Sequence, residues 1–270
     1  MTKQPYRKHI FFYHKQDETI NEQLERLKDV AVNNDFTVVD EAKKANIIVS
    51  IGGDGAFLQT VRKTGFRQDC LYVGIALQHE IELYCDFNLE NFSELLYAVQ
   101  HEEEIEVRRF PLIDVSINGV ASSKCLNEIS VRSPIVKTIV MDIYIDDLHF
   151  ETFRGDGLVV ATPTGSTGYN KSTMGAIIDP KLPCFQVTEL ASLNNNKYRT
   201  LGSSFILSSE KKLHLEIEQG GNDFPVISFD NEAFPIRNVK EVTVGLSNQV
   251  VKTVKLKNNT YWDRVKRMFL

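Results

Sequence analysis

Residues 46–61, NIIVSIGGDGAFLQTV, constrain this chain more than any other stretch. A run of buried-strand residues breaks at three glycines around one aspartate and then resumes as the start of a helix. In a parallel α/β unit such a turn commonly meets a phosphate. Glycine lets the backbone come close, and the helix N-terminus offers unpaired N–H groups and positive dipole. Asp54 is the anomaly, because a carboxylate there repels a phosphate and so needs a reason. As a structural residue it would cap the helix, where aspartate is favoured. As a functional residue it would activate a hydroxyl or hold a metal beside the phosphate.

The flanking sequence alternates as a parallel α/β unit does. HIFFYH, FTVVD, NIIVSI and LYVGIA read as strands; TINEQLERLKDVAV, with Ile20, Leu24, Leu27 and Ala31 at helical spacing, and FSELLYAVQH read as helices. This predicts an α/β N-terminal domain over residues 1–103 with a parallel doubly wound sheet and a ligand crevice at the carboxyl ends of its strands. From residue 104 to 255 short runs rich in Val, Ile, Thr and Tyr predict a β-rich, sandwich-like C-terminal domain. One helical interruption is expected in NKSTMGAIIDPKLPCFQVTELASL, residues 170–193, broken by Pro180 and Pro183. Residues 256–270 end in TYWDRVKRMFL, a short amphipathic helix expected to pack back on the first domain.

Charge and cysteine usage narrow the function classes. Among 270 residues, 31 basic and 36 acidic side chains give a net charge of -5, which lacks the basic footprint of a nucleic-acid binder. The apolar run IFFY is too short for a secretory signal and no later stretch approaches a membrane span, so no membrane partner and a cytoplasmic protein are expected. Cys70, Cys85, Cys125 and Cys184 form no CxxC pair and are expected to be buried, reduced thiols.

Of 15 glycines, seven fall in three places: Gly52, Gly53 and Gly55; Gly155 and Gly157; Gly165 and Gly168. Neither G-x-G-x-x-G nor G-x-x-x-x-G-K-[ST] occurs, so ordinary dinucleotide-fingerprint and P-loop readings lose support. In SKCLNEISV, Asn127 and Glu128 interrupt a strand-like run. In a strand they would point to opposite faces, sending at least one into a crevice; the other reading is a turn between strands. An amide suits an adenine edge and a carboxylate suits ribose hydroxyls. FRGDGLVVATPTGSTGYNKS, residues 153–172, carries Asp156 between two glycines and then Thr162, Thr164, Ser166, Thr167, Tyr169 and Asn170 around two more. Such a loop can wrap a polyhydroxyl or phosphorylated ligand. A Ser/Thr-rich surface turn is the plain alternative.

GGDG after a buried strand, NE about seventy residues later, and GDG followed by TPTGSTGYN together resemble the NAD kinases, in motif order over most of the chain. The resemblance implies ATP-dependent phosphorylation of the adenosine ribose 2′-hydroxyl of NAD to give NADP. It also implies Mg²⁺ or another divalent metal with ATP, no tightly bound prosthetic group, and a homodimer or homotetramer. Asp54 matches the base for the 2′-hydroxyl, within the turn of Gly52, Gly53 and Gly55. Asn127 and Glu128 match the residues holding the adenosine portion, Asp156 the GDG aspartate near the dinucleotide, and Thr164, Thr167, Gly168, Tyr169 and Ser172 the loop around its bases. Asp230 with Asn231 matches a further acidic position, and Ala191 and Arg199 border the site. Sequence leaves open whether Asp54 is base or metal ligand, and whether the donor is ATP or polyphosphate.

Two departures stand out. Ala56 replaces the threonine usual after GGDG, and LQHEIELYCDF replaces a TGxLGF segment, with His79 among its changes, Glu82 in the place of a glycine and Leu83 in that of an aromatic, while Tyr84 and Asp86 keep the family look. The rival readings are a lipid kinase of the diacylglycerol or sphingosine type, which shares GGDG, and a non-catalytic NAD(P) sensor.

Overall fold

The computed structural model describes residues 8–14, 18–77, 82–100, 105–134, 137–219, 225–236, 238–256 and 260–270. The chain forms two compact units, residues 1–110 with 250–270 and residues 111–249. In the first, β1 (His9–His14), α1 (Glu18–Asn33), β2 (Thr37–Val38), β3 (Ile47–Ile51), α2 (Asp54–Lys63), β4 (Leu71–Ala76), β5 (Cys85–Asn88) and α3 (Phe92–Gln100) follow one another. The pairs β2–β1, β1–β3, β3–β4 and β4–β5 are all parallel. Every residue of β3 and β4 is buried, as strands covered on both faces require. The i, i+3, i+4 stripe of α1 puts Ile20, Leu24, Leu27 and Ala31 into this core with Leu95, Leu96 and Val99 of α3.

β6 (Ile105–Ile117) runs through the junction at Phe110 and Pro111 and hairpins onto β7 (Ala121–Cys125). The change in sequence pattern at residue 104 therefore marks the start of this strand, and the units divide later, inside it. In the second unit follow β8 (Glu128–Arg132), β9 (Ile139–Ile145), β10 (Leu148–Gly155), β11 (Gly157–Ala161), a one-turn α4 (Tyr169–Ser172), β12 (Cys184–Leu190), β13 (Phe205–Ser208), β14 (Lys212–Ile217), β15 (Val226–Phe229), β16 (Glu232–Pro235) and β17 (Glu241–Leu256). One antiparallel sheet runs β13-β12-β11-β8-β15-β16; in the other, β10-β9-β14-β17 are neighbours. Inward residues of both sheets share one hydrophobic core, among them Ile129, Val131, Leu158 and Phe185 from the first and Met141, Ile143, Leu215 and Val242 from the second.

The helix expected over residues 170–193 is corrected. Only α4 is helical there; Cys184–Leu190 is a strand between β11 and β13, with six of its seven residues buried. A segment enclosed on both faces shows no amphipathic period, so its apolar content alone did not separate helix from strand. β17 ends by pairing parallel to β4 at Thr253 and Tyr72, and α5 (Tyr261–Phe269) completes the first unit behind a Thr260–Asp263 capping box. All four cysteines are free and buried. Among the described residues no helix is long and apolar enough to cross a membrane.

Candidate active site

The site residues form two groups, one in each unit. In the first, β3 ends at Gly52, whose φ of +132° and close approach to the Ala56 Cβ require a glycine. Ala56 thus packs beneath the turn. Gly53 occupies the N-cap of α2 without a side-chain bond, and Asp54 is the first helical residue. The buried Thr60 hydroxyl bonds the Ser50 hydroxyl at 2.8 Å and fixes α2 on β3.

The capping reading of Asp54 does not hold. Its carboxylate turns away from its own helix and accepts the backbone N–H groups of Leu83 and Tyr84, each at 2.8 Å. Burial raises its pKa; the Tyr84 and Leu83 N–H groups, the Glu82 side chain and the Arg264 charge oppose that rise. Glu82 lies against the same turn, so close that a Cβ on Gly53 would stand 2.6 Å from its Oε1. Burial and then the Asp54 charge push the Glu82 carboxyl up to about 7. Residues 78–81, including His79, lie outside the described residues. Tyr84, expected as a binding residue, is 2% exposed. Its ring stacks on Phe57 at 4.9 Å and meets Phe110 edge-on, so what it offers the site is its backbone N–H.

Two arginines that the motif reading passed over support this group. Asp86 pairs with Arg108 at 2.6 Å and with Arg264, which also donates to the Leu83 carbonyl. Arg264 is 2% exposed and comes from α5. Its signal in the sequence was spacing: it shares a face with Tyr261, Val265 and Met268, where an apolar residue is the rule.

In the second unit Asn127 and Glu128 do not point apart, because Asn127 belongs to a turn and only Glu128 has entered β8. The turn is held by Asp230, which is 7% exposed and accepts the N–H groups of Asn127 at 2.7 Å and Leu126 at 3.3 Å. Both side chains converge on Gly168: a Cβ there would lie 3.1 Å from Glu128 Oε2 and 3.4 Å from Asn127 Nδ2. The Glu128 carboxyl accepts the Tyr169 backbone N–H, while Oε2 is buried without a hydrogen-bond partner among the described residues. Burial and the Asp230 charge lift its pKa to about 8, so at neutral pH it carries a proton.

The hydroxyls of TPTGSTGYN are mostly turned inward, not presented to a ligand as expected. Thr162 donates to the Leu126 carbonyl and accepts from Gly165. Ser166 bonds Pro163 and Ile178, Thr167 bonds the Thr164 carbonyl, and buried Asn170 accepts from Thr188. Gly168 and Tyr169 remain half-exposed and Ser172 exposed. Asp156 is exposed at the corner between β10 and β11, where Gly157 at φ +153° lies against β8. Ala191 lines a cleft of about 740 Å³ with Thr173, Thr188, Glu189 and Ser204. Among the described residues no hydrogen bond ties the side chains of Asp156, Ser172 or Arg199 to either group.

What these groups can do is chemically specific. The first holds an anchored carboxylate at a phosphate-compatible turn; the second offers an amide and a protonated carboxyl converging on one glycine, suited to a nucleoside. The ATP-NAD kinase C-terminal domain model matches residues 126–256. NAD kinase 2 of Bacillus licheniformis is 60% identical over 264 residues, 98% of this chain and 99% of that protein. NAD kinase 2 of Bacillus subtilis is 57% identical, covering 98% of each. Among solved structures, yeast NADH kinase complexed with NADH shares the fold with a TM-score of 0.84 at 17% identity, over 98% of this chain and 87% of that one. An NAD kinase from Archaeoglobus fulgidus in complex with ATP has a TM-score of 0.72 at 25% identity, over 96% and 99%. With well over half its residues shared along nearly the whole length of such relatives, this chain belongs to the NAD kinase family.

Proposed function

We propose that this protein transfers the terminal phosphoryl group of ATP to the adenosine ribose 2′-hydroxyl of NAD, giving NADP and ADP, with Asp54 as the base. The 2′-oxygen forms a bond to the γ-phosphorus, the bond from that phosphorus to the β–γ bridging oxygen breaks, and the hydroxyl proton passes to Asp54. Phosphoryl transfer asks of the protein mainly positioning and electrostatics. The observation that carries this reading is the Asp54 carboxylate held by two backbone N–H groups beside a glycine turn. It answers the anomaly of the sequence: the repulsive group is there to accept a proton. Family membership, and the NADH and ATP in the two solved relatives, support a dinucleotide acceptor and a nucleotide donor.

In the second unit, Asn127 and Glu128 are proposed to hold the adenosine portion, with Gly168 and Tyr169 beside it. Asp230 positions Asn127. Among the described residues, Asp54, Glu82 and Cys85 have ligand atoms within 4.8 Å of one another. This set does not fit Mg²⁺, which takes octahedral oxygen ligands, because one donor is a thiol and both Asp54 oxygens accept backbone N–H groups. The ion enters with the phosphates of ATP as part of the substrate.

Asp54→Asn tests the reading. Loss of a general base costs roughly 10²–10⁴-fold in kcat. NAD binding by calorimetry should stay within a few-fold, since an amide oxygen still accepts one of the two N–H groups. Equal losses in binding and rate would make Asp54 a purely structural clamp. NAD binding by the wild type with no NADP formed would favour the sensor.

A further inference from the structure

We propose that Arg264, on the C-terminal helix α5, is the positioning residue for Asp54: its guanidinium grips the strap Leu83–Asp86, and that strap's N–H groups hold the Asp54 carboxylate. The inference rests on Asp54 as the base.

Arg264 is among the largest fully buried side chains of the molecule, and burying an arginine is costly unless its donors meet acceptors. Its Nη1 donates to the Leu83 carbonyl and its Nη2 forms an ion pair with the Asp86 carboxylate on the same short segment, while its Nε meets no acceptor among the described residues. Tyr84 N–H lies between these two acceptors and Leu83 N–H immediately before them, and these are the two donors to Asp54. Arg108 grips Asp86 independently, with Nη1 2.6 Å from Oδ2. The strap is thus fixed at Asp86 by two guanidiniums and at Leu83 by Arg264. A planar fork spans two such acceptors, whereas an ammonium is a single point charge.

The guanidinium also acts through space. Among the described residues, the charged and titratable groups facing Asp54 are Glu82 and Cys85 on the strap side and Arg264 on α5. Glu82 yields its own charge, its carboxyl raised by burial and by the Asp54 charge, and its side-chain hydrogen bond, like the Arg264 cation, favours the Asp54 anion. Removing Arg264 makes Asp54 harder to ionise, so the base becomes available only at higher pH. Glu82, which stands in the place of a glycine, acts on Asp54.

The test is a comparison of Arg264→Met, Arg264→Gln and Arg264→Lys with wild type, each checked for folding by circular dichroism and Tm. For Met and Gln, kcat is expected to fall about tenfold or more with KM for NAD and ATP within about threefold, and the acid limb of kcat to move up by about one pH unit, the tenfold change expected for one lost charge contact. Lysine keeps the charge without the fork, so the limb should stay near wild type while kcat is only partly restored. If Met at 264 prevents folding, Gln, which still donates to the Leu83 carbonyl, carries the same reading. A folded Met or Gln variant with wild-type kcat and acid limb overturns the proposal, as does a loss confined to KM. A fully active Asp54→Asn would instead overturn Asp54 as the base, whatever the Arg264 variants do.

Discussion

Glu128 shows how the same residue type takes on different chemistry from its surroundings. Exposed glutamates are anions at neutral pH, but Glu128 sits 5% exposed beside Asp230, and its pKa of about 8 leaves it protonated. A neutral carboxyl can both donate and accept, as an adenosine edge or ribose hydroxyl requires. Glutamine has the same size and no charge, so Glu128→Gln should hold the NAD KM at pH 7 within about threefold, whereas Glu128→Ala should raise it about tenfold or more, the cost of an unpaired buried polar group. Steady-state KM values across pH 6–9 check this. A Gln variant as weak as the Ala variant at pH 7 would mean that the anion is the working form. Tyr84 illustrates the opposite case, a residue at a motif position whose side chain is core and whose backbone serves the site.

At the scale of elements, the loop after β11 is a self-bonded plug. Its density of hydroxyls and glycines suggested a surface for ligands. Instead the hydroxyls of Thr162 and Ser166 and the amide of Asn170 bond the loop to itself and to its neighbours, leaving Gly168 and Tyr169 at the surface. Gly165 is where this packing is tightest, since a Cβ there would stand 2.0 Å from the Asn127 carbonyl oxygen. Neither backbone can yield without breaking the Thr162 N–H bond to that oxygen. Gly165→Ala should therefore cost about 1–3 kcal/mol or more of stability, as overpacking does. A thermal denaturation series with Gly65→Ala as a second variant checks it; Gly65 has open space around it but a φ of +78°, so only backbone strain is added there. Equal Tm losses would show that the loop relaxes freely around residue 165.

For the whole molecule, the path of the chain matters. The second unit is an insertion between residues 110 and 250 of the first, so α5 and Arg264 join the α/β unit only after the β-rich unit has been traversed. Stability of the whole follows from its buried carboxyls. Glu82 and Glu151 are lifted to about 7 and Glu128 to about 8, each chiefly by burial, and Glu151 also by the neighbouring Glu189. An unfolded glutamate titrates near about 4.3, so between that pH and 8 the folded state binds more protons than the unfolded one, and stability falls as pH rises. The lowered carboxyls, such as Asp69 and Asp263, change only at more acid pH and do not offset this window. Nucleotide-free protein should be most stable near about pH 5 and lose stability steadily toward about pH 8. Chemical denaturation at fixed ionic strength measures it, and Glu151→Gln should flatten the slope; a rise in stability across that window would contradict the assignment.

By itself the sequence determined the parts whose signals are local: the alternating strands and helices of the first unit, the glycine turn with Asp54 at the head of α2, and the amphipathic period of α5. These depend on periodicity and on the conformations a residue allows, which neighbours along the chain already define. Only the tertiary structure decided which side chains meet. It made residues 184–190 a strand, because enclosure by β11 and β13 leaves no period to read. It turned the hydroxyls of residues 162–170 inward, brought Asp230 under Asn127, and set Arg264 behind a carboxylate 210 positions earlier in the chain. Burial, charge pairing and hydrogen-bond satisfaction act through space, and a linear pattern carries no record of which distant groups will share a dielectric.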